Sequence, residues 1–260
     1  MSKVVLITGG SSGIGKSIGE FLTEKGYIVY GTSRNPQNYI NSKFPIIALD
    51  VTDSTSISIA VNHLLESQGK IDVLINNAGM GHLGTAIEME LDIERKVFEV
   101  NFWGAVALTK AVLPHMTSRN SGQIWTVSSI LGHFGSPKLA AYAASKHAVL
   151  GYFESIQYEL RRSEVHIGIV SPGFINTAVT LNSLGPDGVP IGKNSVAQEK
   201  GMLPIVFALK FLKLSTKRRP KRHLLIGRYE VLSVTFKRYL PKLFFMVYGK
   251  LTDVTRQKKN

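Results

Sequence analysis

Two residues that could transfer protons, Tyr142 and Lys146, lie four positions apart in the segment AAYAASKHAVLGYFESIQYEL. We predict one long helix here, in which residues four apart lie one above the other on the same face. A lysine ammonium beside a phenol favours the phenolate, so we expect it to lower the phenol pKa from its usual value of about 10. Such a pair could donate and accept a proton near neutral pH. The alternative is a tyrosine packed under the alkyl chain of a surface lysine, and the surrounding elements must decide between the two.

The N-terminal segment has the order strand, glycine-rich turn, helix, strand. Residues 4–8 are apolar and mostly β-branched, as expected of a strand that is covered on both faces. The turn GGSSGIG follows at residues 9–15, then a helical pattern that ends at Gly26, and then a second strand at residues 27–32. Glycines let the backbone approach a pyrophosphate, and the helix N-terminus adds N–H groups and a positive dipole. This order predicts a dinucleotide-binding site.

Ser33 and Arg34 directly follow the second strand. At this position an acidic residue binds the ribose hydroxyls of NAD, whereas an arginine accommodates the 2′-phosphate of NADP. The pair therefore favours NADP(H) over NAD(H) as the cofactor. The alternative is an ordinary solvent-exposed arginine.

Strands and helices continue to alternate along the chain. Further strands are predicted at residues 45–49, 71–75, 123–127, 165–170 and 223–227, with helices at 54–68, capped by Ser54, and at 92–116, containing Asn101. The strands end in small, polar or glycine-containing groups at Gly9, Asp50, Asn77, Ser129 and Pro172-Gly173. Ligands of an open parallel sheet bind at the carboxyl ends of its strands. We therefore predict an α/β fold, a single doubly wound domain with helices on both faces of the sheet.

The motifs together resemble those of the short-chain dehydrogenase/reductase superfamily. They are TGGSSGIG, the Asp50 position, NNAG, Asn101, a serine 13 residues before YAASK, and PGFINT, in that order over residues 4–177. The resemblance implies a Rossmann fold with about seven parallel strands in the order 3-2-1-4-5-6-7.

The resemblance also implies roles for four catalytic residues. Tyr142 would donate a proton to a carbonyl, or accept one from an alcohol, while hydride passes to or from the nicotinamide. Lys146 would lower the phenol pKa and hydrogen-bond the nicotinamide ribose. Ser129 would hold the substrate oxygen, with Ser128 as the neighbouring candidate that the 13-residue spacing disfavours. Asn101 would anchor a water that connects Lys146 to solvent.

By the same resemblance, cofactor contacts fall at several strand ends. The residues expected to bind it, besides Tyr142 and Lys146, are Gly9, Ser11, Ser12, Gly13, Ile14, Gly15, Ser33, Arg34, Asp50, Val51, Asn77, Ala78, Gly79, Pro172, Gly173 and Thr177. Gly9, Gly13, Ile14 and Gly15 would hold the pyrophosphate, and Ser11, Ser33 and Arg34 the ribose phosphate. Asp50 and Val51 would contact the adenine, Asn77 and Gly79 the adenosine side, and Pro172, Gly173 and Thr177 the nicotinamide half.

The composition excludes several other classes of site. The chain has no cysteine, so disulfides, thiolate nucleophiles and cysteine metal sites are excluded. His82, His133, His147 and His166 have no metal-ligand spacing and are interpreted as structural or pocket-lining, so no metal is expected. Trp103 and Trp125 are expected in the core. The N-terminal apolar run is too short for a signal peptide or a membrane span, which predicts a cytoplasmic protein.

The net charge of +13 comes entirely from the end of the chain. Residues 1–192 hold 14 Lys+Arg against 15 Asp+Glu, whereas residues 193–260 hold 17 against 3. We predict a Rossmann domain at 1–228 and a basic, apolar, helical extension at 229–260. Within the domain, residues 177–214 would form the substrate region, with a lid loop at 180–200, or a plain surface loop, and a helix at 202–214.

The extension admits two interpretations. Apolar residues alternate with Lys and Arg between positions 229 and 251, and Pro241 should break any helix there. The segment could lie on an anionic membrane surface, or it could cover the substrate pocket or a dimer partner while its charges face water. The second interpretation is favoured. Nucleic-acid binding is not expected, because no motif for it accompanies the basic cluster at 217–222.

The leading functional hypothesis is an NADP(H)-dependent oxidoreductase that interconverts a carbonyl and an alcohol. The C-terminus resembles the branch acting on steroids and retinoids, which implies a lipophilic steroid-, retinoid- or acyl-like substrate. A homodimer is expected, with a tetramer as the alternative. The alternative function is a nucleotide-binding sensor that keeps the fold without turnover.

Overall fold

The computed structural model describes residues 2–217 and 220–252. Its strands form one parallel sheet in the order β3-β2-β1-β4-β5-β6-β7. The strands are β1 (Val4–Ile7), β2 (Ile28–Ser33), β3 (Ile46–Ala48), β4 (Val73–Asn76), β5 (Gly122–Val127), β6 (Val165–Pro172) and β7 (His223–Ile226). The predicted fold class and strand order are both confirmed.

Helices cover both faces of this sheet. They are α1 (Gly13–Glu24), α2 (Ser54–Gln68), α3 (Leu91–Phe98), α4 (Gly104–Ser118), α5 (Ala140–Glu159), α6 (Val196–Glu199), α7 (Pro204–Ser215), α8 (Leu232–Tyr239) and α9 (Pro241–Leu251). A π-helical turn, Glu99–Trp103, joins α3 to α4.

The core divides into two clusters because successive strand residues point to opposite faces. On β1, Leu6 packs in one cluster with residues of α2, α4 and α5, such as Phe153. Its neighbours Val5 and Ile7 pack in the other cluster with residues of α1 and α7, such as Phe211. The continuous apolar run of β1 is therefore explained by burial on both faces.

The helix predicted at 92–116 is confirmed, with a π-helical turn that contains Asn101 between α3 and α4. Two local predictions are wrong. The N-cap of α2 is Asp53, whose carboxylate accepts the Thr55 N–H at 2.8 Å, so Ser54 is the first helical residue. Trp103 is 51% exposed because the turn directs it outward, whereas Trp125 is buried as expected.

The segment before the last strand forms a loop and two helices. The predicted loop at 180–200 contains the short helix α6, and the helix expected at 202–214 begins at Pro204, a residue suited to the first helical turn. Of the basic cluster at 217–222, residues 218–219 lie outside the described residues, as do residues 253–260 of the extension.

The C-terminal helices α8 and α9 pack beside the loop that follows β5. Phe244 of α9 lies in a small cluster with Ile130 and Phe134, and the Tyr248 hydroxyl donates to the Ser136 hydroxyl at 3.0 Å. The break between the two helices falls at Leu240, directly before Pro241, as predicted. Among the described residues, no helix combines the length and apolar character needed to cross a membrane.

Candidate active site

The serine–tyrosine pair is formed where β5 ends and α5 begins. Ser129 precedes a short 3₁₀ turn, Ile130–Gly132, and its hydroxyl accepts the Leu131 N–H at 3.1 Å. The Ser129 hydroxyl lies near the Tyr142 phenol and acts to lower the pKa of that phenol. Ser128 is buried and donates to the Lys146 carbonyl at 3.0 Å, so it supports α5 instead of facing the phenol. The geometry thus favours Ser129 over Ser128 as the residue beside the reacting group.

Lys146 is a buried cation below Tyr142. Its side chain is 4% exposed, its Nζ donates to the Val127 carbonyl at 3.0 Å, and Nζ lies 5.8 Å from the centroid of the Tyr142 ring. Burial disfavours the ammonium and lowers the pKa of Lys146 to about 8. Because Lys146 is buried, the alternative of a tyrosine packed under the alkyl chain of a surface lysine is excluded.

The pKa of the Tyr142 phenol is raised above its ordinary value. Burial is the main cause, and the Ser129 hydroxyl acts in the opposite direction. Lys146 is not among the causes of this shift, because its ammonium donates to the Val127 carbonyl. The lowering of the phenol pKa by Lys146 therefore stays a prediction.

Asn101 fastens the loop after β4 to α5. Its Oδ1 accepts the Met80 N–H at 2.8 Å, and its Nδ2 donates to the Met80 carbonyl at 2.9 Å and to the Ser145 hydroxyl at 3.1 Å. A Cβ on Gly79 would lie 3.2 Å from Asn101 Oδ1 and 3.6 Å from Lys146 Nζ. The π-helical turn therefore places an amide at the site, as such turns frequently do.

His82 reaches the same helix from the loop after β4, although its sequence context predicted only a structural or pocket-lining residue. It is fully buried, and its Nε2 accepts the backbone N–H of Tyr142 at 3.2 Å. The residue at the N-cap position of α5, Leu139, makes no side-chain cap, so His82 satisfies one of the free amides of the first turn. No local pattern could reveal this contact, because the two residues are 60 positions apart.

The glycine turn has the backbone that a pyrophosphate site requires. Gly9 and Gly13 have φ angles of +63° and +53°, in the left-handed region that favours glycine. A Cβ on Gly15 would lie 2.5 Å from the Gly9 carbonyl oxygen, so the turn closes only with glycine there. Ser12, at the N-cap of α1, makes no side-chain cap within the described chain, which leaves the first N–H groups of α1 for an anion.

The loop after β4 is tied to this turn. Asn77 Nδ2 donates to the carbonyls of Thr8 at 2.9 Å and Gly9 at 3.3 Å, and the backbone N–H groups of Asn77 and Ala78 both donate to the Thr8 hydroxyl at 2.9 Å. The NNAG motif thus fixes the residues that follow β1 and also forms one wall of the site.

The predicted adenosine contacts lie along the ends of β2 and β3. Ser33 ends β2, its hydroxyl accepts the Asn35 N–H at 3.2 Å, and Arg34 beside it is exposed. The Asp50 carboxylate accepts the backbone N–H and hydroxyl of Thr52, while Val51 packs against Gly104. Arg34 is therefore free to turn toward a ligand, whereas Asp50 is already held in a local turn.

The end of β6 meets both the glycine turn and the C-terminal segment. A Cβ on Gly13 would lie 3.2 Å from the Thr177 methyl group, which brings the predicted nicotinamide contacts to the pyrophosphate turn. Pro172 ends β6, and Gly173 lies against the Glu230 carboxylate. Glu230 is buried, and its Oε1 accepts the backbone N–H groups of Phe174 at 3.1 Å and Arg228 at 3.0 Å.

The loop at 180–200 lies on the loop after β4. Leu184 pairs with His82 as an isolated parallel bridge: the Leu83 N–H donates to the Leu184 carbonyl at 2.9 Å, and the Leu184 N–H to the Gly81 carbonyl at 3.1 Å. Gln198 of α6 donates to the Ile175 carbonyl and to the Thr177 hydroxyl. This loop is thus anchored at both sides of the site.

Residues from six segments therefore meet at one edge of the sheet. They comprise a glycine turn shaped for a dinucleotide, a half-buried tyrosine above a buried lysine and beside a serine, and an asparagine that fixes the intervening loop. Within the described ranges no cluster of His, Asp or Glu could hold a metal ion. Such a sheet and site define a class, the dinucleotide-dependent oxidoreductases with a Rossmann fold.

Comparisons with known proteins agree with that class. Residues 3–185 match the family model for short chain dehydrogenases. The chain is 34% identical over 262 residues to the dehydrogenase/reductase SDR family protein 7-like of Drosophila melanogaster, covering 95% of this chain and 80% of that protein. It is 44% identical over 181 residues to the 3-ketodihydrosphingosine reductase of Bacteroides thetaiotaomicron, covering 69% of this chain and 66% of that protein. The chain belongs to the short-chain dehydrogenase family.

Solved structures have the same fold. A short-chain dehydrogenase from Streptomyces avermitilis matches with a TM-score of 0.82 and 27% identity over 97% of this chain and 98% of that one. ElxO with NADP bound matches with a TM-score of 0.71 and 26% identity over 86% and 96% of the two chains. A family member from Burkholderia phymatum in complex with NAD matches with a TM-score of 0.78 and 23% identity over 93% and 95%. These folds thus accommodate either dinucleotide.

Proposed function

We propose that this protein is an NADP(H)-dependent oxidoreductase that reduces the carbonyl of a lipophilic substrate to an alcohol, and catalyses the reverse reaction. The observation that carries the proposal is the Ser129, Tyr142 and Lys146 arrangement at the carboxyl ends of the strands, next to the glycine turn. When bound, the nicotinamide supplies or accepts the hydride.

The protein's own residues then handle the proton and the charge. The raised pKa of Tyr142 keeps its phenol protonated at neutral pH, which suits donation of a proton to the carbonyl oxygen. Ser129, near the Tyr142 phenol, would hold that oxygen as negative charge develops on it. Lys146 would stabilise the phenolate left behind, and Asn101 would keep the loop after β4 in position and carry the proton path to solvent.

Residues at the other strand ends would bind the cofactor. Gly9, Ser12, Gly13, Ile14 and Gly15 would surround the pyrophosphate, and Asn77, Ala78 and Gly79 would form the wall beside the ribose. Ser11, Ser33 and Arg34 would meet the 2′-phosphate, Asp50 and Val51 the adenine, and Pro172, Gly173 and Thr177 the nicotinamide half. The exposed Arg34 supports NADP over NAD, because it is the strand-end cation at the position where NAD enzymes carry an acid.

Two observations support a lipophilic substrate. Ile130 directly follows Ser129 in the chain and packs in an apolar cluster with Phe134 and Phe244, so the loop that carries Ser129 has an apolar surrounding. One relative is named for the reduction of a long-chain ketone, 3-ketodihydrosphingosine. An acyl- or sphingoid-like ketone is therefore the first substrate class to test.

The first test uses purified protein, NADPH and a panel of ketones and aldehydes that includes long-chain ketones. We expect loss of NADPH absorbance with at least one lipophilic carbonyl, and a Tyr142→Phe rate lower by a factor of about 10² to 10⁴, the usual contribution of a positioned proton donor. Unchanged turnover in Tyr142→Phe would reject the mechanism. Tight NADPH binding without turnover across the panel would instead support the nucleotide-binding sensor.

Cofactor preference is tested separately with Arg34→Ala. If Arg34 binds the 2′-phosphate, its loss removes a charge-assisted hydrogen bond, and KM for NADPH should rise about tenfold or more. KM for NADH, which lacks that phosphate, should stay unchanged. An equal change for both cofactors would show that Arg34 does not contact the 2′-phosphate.

A homodimer in the cytoplasm completes the proposal, with a tetramer as the alternative. The exposed Trp103, which contacts Phe102 on the surface shared with Tyr152, is an apolar group suited to a subunit interface. Sedimentation velocity of the wild-type protein and of Trp103→Ser measures the assembly and tests this surface.

A further inference from the structure

Helices α8 and α9 expose an unusual number of large apolar side chains. Phe245 is 82% exposed, Leu251 77% and Tyr239 71%, and Phe244 is the one buried residue of α9. We call this the C-terminal surface; its exposed apolar residues are Leu232, Tyr239, Leu240, Leu243, Phe245, Met246, Val247 and Leu251. Monomeric soluble proteins rarely leave an apolar patch of this kind in water, so it marks a contact with another phase or molecule.

The same surface is strongly basic. Lys237, Arg238, Lys242 and Lys250 are all exposed, and none forms an ion pair with a described residue. Residues 231–252 contain no Asp or Glu. The preceding acid, Glu230, is buried and occupied by backbone N–H groups, so it leaves the local positive charge uncompensated.

This charge argues against a second copy of the chain as the occupant. A two-fold contact would place the same surface on both sides, so four cations would face four cations without a counter-charge. A surface of phosphate and carboxylate headgroups over acyl chains satisfies both properties, since it attracts the cations and accepts the apolar side chains.

We propose that α8 and α9 bind an anionic lipid bilayer, lying in the plane of the interface with the C-terminal surface toward the lipid. Neither helix spans the bilayer, because they have 8 and 11 residues. The bend at Pro241 lets both lie on one plane, with the aromatic and aliphatic groups inserted and the basic groups at headgroup level.

The location of α8 and α9 next to the candidate active site suggests a role for bilayer binding, and this role rests on the proposed function. Phe244 and Tyr248, on the inner side of α9, contact Phe134, five residues after Ser129. Bilayer binding would therefore place the Ser129 and Tyr142 site next to a reservoir of lipophilic substrate.

The test is co-sedimentation of the full-length protein with phosphatidylcholine vesicles, with and without phosphatidylserine. We expect binding only to the vesicles that contain phosphatidylserine, and a decrease in binding as salt is raised. Lys242→Glu/Lys250→Glu should weaken binding by more than about tenfold, since each basic residue near an anionic surface contributes a factor of about five. The matched control, Lys25→Glu/Lys110→Glu, changes the net charge equally on exposed residues elsewhere and should bind as the wild type does.

The apolar contribution has its own matched pair. Phe245→Ser should weaken vesicle binding, whereas Ile87→Ser, at a residue that is 98% exposed on another part of the molecule, should not. Vesicle binding is measured without substrate or cofactor, so its result does not depend on whether the protein catalyses the proposed reaction. Absence of binding to phosphatidylserine vesicles, or equal losses in variants and controls, would overturn the proposal. It would equally be overturned by a dimer that Phe245→Ser dissociates, since a second copy would then occupy the surface.

Discussion

At the scale of single residues, the site is governed by burial. Tyr142 holds its proton more tightly than a phenol in water, and Lys146 holds its proton less tightly than an ordinary lysine, for the same reason. Each charged form has lost part of its hydration, so the phenolate and the ammonium are both disfavoured. The Tyr142 phenol is therefore protonated at neutral pH.

His82 gives the first residue-scale prediction. Because its Nε2 accepts the Tyr142 N–H, His82→Phe should leave that amide unpaired and lower kcat by about tenfold, a cost in the range of one lost buried hydrogen bond. His82→Gln keeps a neutral acceptor at the end of the side chain and should restore most of kcat. The measurement is kcat for both variants with KM determined in parallel.

The pH profile separates this positioning role from simple packing. Burial lowers the pKa of His82, with Glu94 acting in the opposite direction, so the imidazole is neutral and able to accept at neutral pH. Protonation at acidic pH converts the acceptor to a donor, and kcat of the wild type should then decrease. A decrease of equal size in His82→Gln would show that another group causes it.

The sequence contained part of this site. Local motifs contain Tyr142, Lys146, Ser129 and the glycine turn. The spacing within each motif is set by one helix or one turn, so it can be recognised in the sequence without the tertiary structure. His82 and the outward Trp103 depend on contacts between distant segments and on a π-helical turn, which no local periodicity indicates. The direction of the Tyr142 pKa likewise depends on burial, which spacing does not reveal.

At the scale of elements, two histidines, His133 and His223, form a bridge through Ser171 that connects β6 with β7 and with the segment after β5. The hydroxyl of Ser171 on β6 lies 3.2 Å from His133 Nε2, after β5, and 3.1 Å from His223 Nε2, at the start of β7. The two rings are stacked, with centroids 5.1 Å apart. The Ser171 hydroxyl on β6 thus connects the segment after β5 with the start of β7.

This bridge predicts acid sensitivity. Burial, then His223, His147 and Lys237, lower the pKa of His133 from 6.5 to about 4, and burial also lowers that of His223 despite Glu154. The unfolded chain therefore binds more protons than the folded one in this range, so stability is present above pH about 6.5 and is lost as pH falls toward about 4.

The measurement is the thermal midpoint from pH 7 to pH 4 for the wild type, His133→Asn and His63→Asn, where His63 is an exposed control. His133→Asn should reduce the dependence of the midpoint on pH, whereas His63→Asn should follow the wild type. If the thermal midpoint depends on pH identically in all three proteins, His133 does not cause the acid sensitivity.

Helix and strand boundaries show what element-level patterns can predict. The positions of the strands were predicted from a continuous apolar run at each strand and a turn at its end, whereas their order in the sheet was implied by the family resemblance and is confirmed. Asp53 and Ser54 are both good N-cap residues, so composition alone does not select between them, and the hydrogen bond to Thr55 does.

At the scale of the whole molecule, the two main core clusters belong to the faces of the sheet, and the cluster around Phe244 is separate from both. Amides of α8 and α9 should therefore open independently of the sheet. Phe244→Ala should abolish their hydrogen-exchange protection while the thermal midpoint changes by only a few degrees. The control is Phe153→Ala in a main cluster, which should destabilise the whole fold by about 3–5 kcal/mol. Equal losses of thermal stability would show that α8 and α9 fold cooperatively with the sheet.

The division of charge along the chain was visible in the sequence, but its meaning was not. Seventeen basic residues in the last 68 could face water over a covered pocket or face a lipid. The choice depends on which side of α9 carries Phe245 and which carries Phe244, and this is set by the contact with Phe134.

Glu230 makes the two ends of this molecule interdependent. Its carboxylate holds the amide of Phe174, beyond β6, and the amide of Arg228, where the chain enters the C-terminal helices. Glu230 therefore connects the entry to those helices with the loop that leads to Thr177. If binding of the dinucleotide displaces this loop, thermodynamic linkage requires that the position of α8 and α9 shifts the affinity for the dinucleotide by the same free energy.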